Sequence, residues 1–314
     1  MELQAHGGTE LLVEAWGRHV PEGLREKVHV SVQVPQSDVR HLKPLILWEH
    51  QSYDQPSVQA LHDPAIRRVI DHYVFVSEWQ RAQYLKYFGI PMERTAIIQN
   101  AIEPIEKHVK PRGKLQLIYT STPFRGLDVL LDAFALLDRD DVELHIYSGM
   151  SLYGAGRAAE DARFGPLYEQ ARRMPGVVYH GVVGNVEVHE ALMRAHIFAY
   201  PNTWEETSCL SLIEALDAGC LAVIPRLGAL PETASGFARL YPYAADKSEH
   251  ARVFARELSW AIDHFWDAPV QQRLTQQKDF FDQNYSWKRR AEEWIPFLEE
   301  VIFLHSLRER GGQV

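Results

Sequence analysis

The sequence predicts an α/β protein made of two doubly wound domains. Three observations carry that expectation. Short apolar runs alternate with helical patterns along most of the 314 residues, the order that yields a parallel sheet covered by helices on both faces. Several runs, such as LILW at 45–48 and YVFV at 73–76, are continuously apolar, as strands buried on both faces are. The chain also exceeds the size at which a single hydrophobic core stops growing, and its middle, EPIEKHVKPRGK at 103–114, is rich in charge and proline without periodicity. That stretch reads as an interdomain linker, against the plainer reading of a long surface loop, because the alternation restarts cleanly after it.

The elements follow in order. HGGTE at 6–10 leads into the helical pattern TELLVEAWGRH; Gly7 and Gly8 either let a backbone approach a ligand closely or form a plain helix lead-in. VHVSVQV at 28–34 alternates with period two and reads as a half-buried strand. LILW and YVFV are buried strands. SEWQRAQYLKYFG at 77–89 is a helix, with Ser77 and Gln80 at capping-box spacing and Gly89 followed by Pro91 as the stop. TAIIQN at 95–100 is a short strand. After the linker come the strand LQLIY at 115–119, the helix GLDVLLDAFALL at 126–137, and strands VELHIYS at 142–148, VVYH at 177–180, HIFAY at 196–200 and LAVIP at 221–225. From about 247 the pattern is mostly helical, and WKRRAEEWIPFLEEVIFLHSL at 287–307 has a broad apolar face. The expected division is 1–104, 105–286 and a last helical segment at 287–314.

Composition narrows the function. The net charge of -9 argues against a dedicated nucleic-acid binder. No run approaches the ~18 apolar residues of a membrane span. The first residues, MELQAHGGTE, lack the basic and apolar regions of a secretory signal. Two cysteines, Cys209 and Cys220, make no disulfide framework, so the chain reads as a soluble protein of a reducing compartment such as the cytoplasm.

In open parallel sheets ligands sit beyond the carboxyl ends of the strands, so the loops after strands are the places to look. YTSTPFRG at 119–126 follows a strand and opens a helix; Arg125 adds a fork of donors suited to phosphate, or merely decorates a turn. NTWEETSCLSLIEAL at 202–216 also follows a strand and opens a helix, expected from Thr207 or Ser208 to Gly219. Glu206 then lies just before the helix and Glu214 about two turns in. Eight residues span roughly 12 Å of helix, about the length of a sugar diphosphate up to its ribose. Each carboxylate can accept two hydroxyls, and the amides of Thr207 to Leu210 can face the diphosphate. The plainer reading makes Glu206 a helix cap and Glu214 part of a solvated face. LILWEHQSYDQP at 45–56 puts Glu49, His50 and Asp54 just after a buried strand, as a site or as structure.

Three further motifs weaken. YGAGRAA at 153–159 matches G-x-G-x-x-A but lies well past its strand and lacks the distal acid. DRDD at 138–141 falls at the wrong end of the sheet and reads as a solvated turn. HEALM at 189–193 begins like H-E-x-x-H, yet Met193 replaces the second histidine, so no metal is expected.

Taken together and in order, GGTE, FVSEWQ, NAIEP, STPFRGLDVLLDAFALL and EETSCLSLIEALDAGCLAVIP resemble the family-4, group 1 glycosyltransferases of GT-B fold. The resemblance covers most of the chain and is strongest over 115–235. It implies two Rossmann-like domains facing a cleft, with the last helix crossing back to the first domain. It implies a nucleoside-diphosphate sugar held mainly by the second domain and an acceptor, glycan, lipid-linked or small, on the first. Glu206 and the amides of Ser208, Cys209 and Leu210 would hold the transferred sugar, Glu214 the ribose, and Arg125 the leaving diphosphate in place of a metal. Gly8 would approach the phosphate, and His50 matches a histidine near the reacting sugar. No cofactor is implied, and a lipid-linked acceptor would bring peripheral contact with the inner membrane surface.

The sequence departs from the family in three places. Thr120 stands where the first of two basic residues is usual. TSCL replaces the usual GFGL between the glutamates. Only six residues precede Gly7, so MELQAH is either a reduced strand or the domain is trimmed. The competing expectation is an epimerase or hydrolase of nucleotide-sugars on the same fold, with Glu49, His50 and Asp54 as acid and base.

Overall fold

The computed structural model describes residues 8–35, 42–150 and 158–311. The chain forms two compact units, one of Thr9–Ile102, Glu206–Ser208 and Tyr285–Val314, the other of Met1–Gly8, Glu103–Glu205 and Cys209–Asn284. They are called the amino-terminal and carboxy-terminal units below.

The amino-terminal unit begins with α1 (Gly8–His19) and α2 (Glu22–Arg25), then β1 (His29–Ser31), β2 (Leu45–Glu49), α3 (Pro64–Val69), β3 (His72–Phe75), α4 (Glu78–Phe88) and β4 (Thr95–Ile97). Among the described residues its strands form a four-stranded sheet in the order β1-β2-β3-β4, parallel throughout. Every residue of β2 is buried, which is why LILWE carries no alternation. β1 is shorter than the period-two pattern over 28–34 predicts. Ser31 ends it: the hydroxyl donates to the Gln33 carbonyl at 2.6 Å and accepts from the Gln33 amide at 3.1 Å, a local turn that competes with the ladder.

The helix expected at 77–89 is α4, with Ser77 Oγ accepting from Gln80 N at 3.0 Å and Gly89 in the left-handed region at φ 64°. The reciprocal arm of the capping box is displaced. Gln80 Oε1 accepts from Val76 N at 2.9 Å, and its Nε2 donates to the carbonyls of Glu49 and Gln51 at 3.2 and 2.9 Å. Gln80 thus ties the start of α4 to the turn after β2.

The carboxy-terminal unit continues with β5 (Leu115–Thr120), α5 (Leu127–Leu137), β6 (Val142–Tyr147), α6 (Ala158–Arg163), α7 (Gly165–Arg173), β7 (Val177–Gly181), α8 (Asn185–Arg194), β8 (Ile197–Ala199), α9 (Leu210–Asp217), β9 (Leu221–Pro225), α10 (Leu230–Thr233), β10 (Arg239–Tyr241), α11 (Lys247–His264) and α12 (Ala268–Asn284). Its described strands form a six-stranded parallel sheet in the order β10-β9-β8-β5-β6-β7. The strand β10 has no signature in the sequence, because RLY is three residues long and too short for a period to show. From β5 the chain steps outward through β6 and β7, then returns to lay β8 on the other side of β5. That reversal is the switch point at which open α/β sheets bind ligands, and it selects the loops after β5 and β8.

The terminal helix α13 (Trp287–Gly311) packs in the amino-terminal unit. There Trp294 meets Trp48 of β2 and Trp16 of α1, with ring centroids 5.0 and 5.7 Å away. The residues expected as a reduced strand (1–6), Gly7, and 153–157 of YGAGRAA lie outside the described residues. DRDD is an exposed turn joining α5 to β6, where Arg139 pairs with Asp141 at 2.6 Å and also with Asp263.

Candidate functional site

The loop after β5 does not run straight into a helix at Gly126 as expected. Pro123–Arg125 make one 3-10 turn, and Gly126 breaks it at φ 101° before α5 starts at Leu127. Two constraints require glycine there. The left-handed backbone penalises a side chain, and a Cβ would stand 2.1 Å from the Pro201 carbonyl oxygen. This close approach pins the Arg125 loop against the loop after β8. Thr203 Oγ1 donates to the Phe124 carbonyl at 3.2 Å, and Trp204 meets the Phe124 ring edge-on at 5.5 Å. Asn202, fully buried, holds the turn from inside by accepting from Trp204 N at 3.0 Å. Thr120, the last residue of β5, and Thr122 are both buried, and their hydroxyl oxygens have no hydrogen-bond partner among the described residues. Buried polar atoms of that kind call for a ligand or water.

The loop after β8 is longer than expected. The helix starts at Leu210 with Cys209 as its cap residue, rather than at Thr207 or Ser208. Cys209 makes no side-chain cap bond to the first turn of α9. Glu206 therefore lies four residues ahead of the helix instead of capping it. Glu206, Thr207 and Cys209 are buried, while Ser208, Leu210 and Glu214 are half-buried. Gly8 is counted with this unit and lies against Leu210: a Cβ on it would stand 2.9 Å from Leu210 Cδ1.

Glu214, in the second turn of α9, has a partner that sequence reasoning missed. His189 on α8 donates from Nε2 to Glu214 Oε1 at 3.0 Å. That hydrogen bond holds the imidazolium form and raises the His189 pKa against the opposing effect of burial. Within its own helix HEALM shows only the first half of a zinc motif. The true partner lies 25 residues away on the next helix, a pairing no local pattern announces.

In the amino-terminal unit His50 follows β2. Thr207, in the segment counted with this unit, donates from Oγ1 to the His50 carbonyl at 2.7 Å. Glu49 is fully buried, and its Oε1 accepts from the amides of His50 and Gln51 at 3.0 and 2.8 Å. The carboxyl thereby shapes the turn that presents His50. Burial pushes Glu49 up to about 7 and His50 down to about 3. Glu49 Oε2 and His50 Nε2 have no hydrogen-bond partner among the described residues. Part of the His50 surface is exposed, although Nε2 itself is covered. Asp54, the third residue of that cluster, is exposed and accepts from Gln55 Nε2 at 3.3 Å.

Among the described residues no group of three or more His, Cys, Asp or Glu side chains could hold a metal ion, and no helix is long and apolar enough to cross a membrane. No curated protein matches the chain. Residues 116–259 match the family model described as Glycosyl transferases group 1. Among solved structures, a glycosyltransferase from Rickettsia africae is 12% identical with a TM-score of 0.68, over 96% of this chain and 84% of that one. HepE from Anabaena, solved with UDP and glucose, is 14% identical with a TM-score of 0.66, over 82% and 72%. Sucrose-phosphate synthase from Thermosynechococcus elongatus is 17% identical with a TM-score of 0.64, over 84% and 69%. The chain therefore has the GT-B fold, and its residues 116–259 are similar to the group 1 glycosyl transferases.

Proposed function

We propose that the protein transfers a hexose-type sugar from a nucleoside-diphosphate sugar to an acceptor hydroxyl, with retention of configuration and without a metal ion. The observation that carries this reading is the pairing of loops at the sheet reversal. Gly126 against Pro201 fixes the Arg125 loop beside the segment that leads into α9, and α9 carries Glu214. Arg125 offers a permanent charge and a fork of donors to the leaving diphosphate. The Thr120 and Thr122 hydroxyls add neutral donors, which suits a site where Thr120 stands in place of a second cation. Glu214 accepts the ribose hydroxyls, and Glu206 those of the transferred sugar. Gly8, Thr207, Ser208, Cys209 and Leu210 supply the backbone around them.

In this reading the anomeric bond ionises towards an oxocarbenium-like state while Arg125 stabilises the departing diphosphate. The diphosphate then takes the acceptor's proton on the same face. Burial keeps His50 neutral at physiological pH, so in this reading it brings no fixed charge. The complexes of HepE with UDP-glucose favour a uridine diphosphate donor as the first to try. A thermal-shift screen of uridine, guanosine and adenosine diphosphates and their sugars identifies the donor, since ligand bound only by the folded state raises its stability. Arg125→Ala is expected to lower turnover by about 100-fold or more, the scale of losing one preorganised electrostatic contact. Full turnover in that variant, with donor binding intact, would remove Arg125 from the mechanism. Unchanged turnover in EDTA and a product of retained anomeric configuration by NMR are the expected outcomes for the other two features.

The raised Glu49 and the orphaned atoms beside it favour a second reading, an epimerase or hydrolase that uses Glu49 as an acid or base. Release or epimerisation of the sugar in the absence of any acceptor separates it from the first.

A further inference from the structure

We propose that His189 is a positioning residue: it orients the Glu214 carboxylate for the ribose of the donor, so that His189 sets the enzyme's affinity for ribonucleotides over their deoxy counterparts. The inference rests on the reading of Glu214 as the ribose acceptor. Its own ground is geometric. His189 is the fifth residue of α8, the helix that follows β7, and Glu214 is the fifth residue of α9, the helix that follows β8. Their side chains meet at 3.0 Å, with the carboxylate 17% and the imidazole 38% exposed. The pair is thus sheltered enough to be well ordered and open enough for a ligand to reach it.

A carboxylate has two oxygens and about four acceptor positions. His189 occupies one of those on Oε1. Oε2 and the second position of Oε1 remain for two neighbouring hydroxyls, which is the demand a ribose 2′,3′-diol makes. A lone glutamate on a helix surface must surrender its χ freedom when the diol binds. A glutamate already held by His189 has surrendered it in the folded protein, so the ligand does not bear that cost. When protonated, His189 also softens the repulsion between the Glu214 carboxylate and the donor's diphosphate. The imidazole donates to Glu214 in its neutral Nε2–H form as well as when charged, so the orientation does not depend on its protonation.

The test is direct binding of nucleoside diphosphate, uridine diphosphate first, to the full chain by calorimetry, in wild type, His189→Ala and His189→Gln. His189→Ala is expected to weaken binding by about 3- to 10-fold, the range that loss of one preordered side chain gives. In steady-state assays with the nucleotide-sugar the loss falls mainly on KM. His189→Gln, whose amide can donate to the same oxygen, is expected to recover most of it. The decisive comparison uses the 2′,3′-dideoxy nucleotide with the same proteins. Its binding is expected to be the same in wild type and His189→Ala, because the hydroxyls that Glu214 would accept are missing. An equal loss for the ribo and dideoxy nucleotides would overturn the proposal and make His189 structural. Unchanged ribonucleotide affinity in His189→Ala would overturn it too. Glu214→Ala separates the two levels: if it leaves the preference for ribo over dideoxy intact, the ribose reading of Glu214 itself fails. If it abolishes that preference while His189→Ala does nothing, only the role of His189 falls.

Discussion

Glu49 and His50 are neighbours whose burial acts on stability in opposite directions. Glu49 stays protonated in the folded protein up to about 7, against 4.5 for a free side chain. Between those values the unfolded chain gives up its proton and the folded one does not, so this group makes stability fall as pH rises, and the loss is complete above about 7. His50 resists protonation down to about 3, against 6.5 when free. It makes stability fall as pH drops below 6.5, so from 4.5 to 6.5 the two slopes offset each other. Glu49→Gln keeps an oxygen to accept the His50 and Gln51 amides but has no proton to lose. Measured by urea unfolding, the stability of this variant minus that of wild type is expected to climb between pH 4.5 and 7 and level off above. The climb is about 3 kcal/mol if the whole shift is expressed. A flat difference across that range would show that Glu49 ionises in the folded protein like an exposed acid. The sequence drew attention to Glu49 and His50 because they follow a buried strand. It could not show that the acid folds back on the next two amides, because that depends on a single side-chain rotamer inside the packed unit.

At the scale of elements, the strands and helices that surround the site were legible where the pattern was long. β2 and β9 carry continuous apolar runs, β6 alternates with period two over VELHIY, and α5 has leucines at helical spacing, so period and length agreed. The ends of elements were less legible. The helix after β8 was expected to begin near Thr207, since TSCLSLIEAL has no breaker. It begins at Leu210 because Thr207 spends its hydroxyl on the His50 carbonyl, a tertiary contact that overrides local propensity. Gly126 is the opposite case. It looked like the first residue of a helix, yet it is the joint at which two loops touch. Gly126→Ala is expected to destabilise the carboxy-terminal unit by about 2–4 kcal/mol, from the left-handed backbone together with the collision with Pro201. It should also weaken nucleotide binding, because the Arg125 loop must move to make room. An alanine variant with wild-type thermal midpoint and wild-type affinity would show that the two loops are not coupled. The cap of α4 is a milder control: Ser77→Ala removes the bond to the Gln80 amide, a loss of about 1 kcal/mol with no effect on nucleotide affinity.

For the whole molecule, the two units have separate cores, and one of them is discontinuous in sequence. The amino-terminal sheet is completed by α13, nearly 200 residues after β4. The order of motifs along the chain made the two-domain class readable, whereas the partner of the apolar face at 287–307 could be named only by resemblance. Within that unit Trp294 is fully buried and meets Trp48 and Trp16 edge-to-face, which joins α13 to β2 and α1. Aromatic contacts of this kind add to the large area each ring removes from water. Trp294→Ala is expected to cost about 3–5 kcal/mol, as large-to-small changes of buried aromatics do. The cost falls on one core, so unfolding need not remain a single cooperative transition. Differential scanning calorimetry is expected to show one transition moving to lower temperature while a second, belonging to the six-stranded unit, stays in place. The stationary transition should still shift upward with nucleoside diphosphate, because Arg125 and Glu214 both belong to the six-stranded unit. If both transitions drop together, the units unfold as one and the separation of their cores has no thermodynamic counterpart. If the second stays but does not respond to nucleotide, Arg125 and Glu214 do not suffice to bind it.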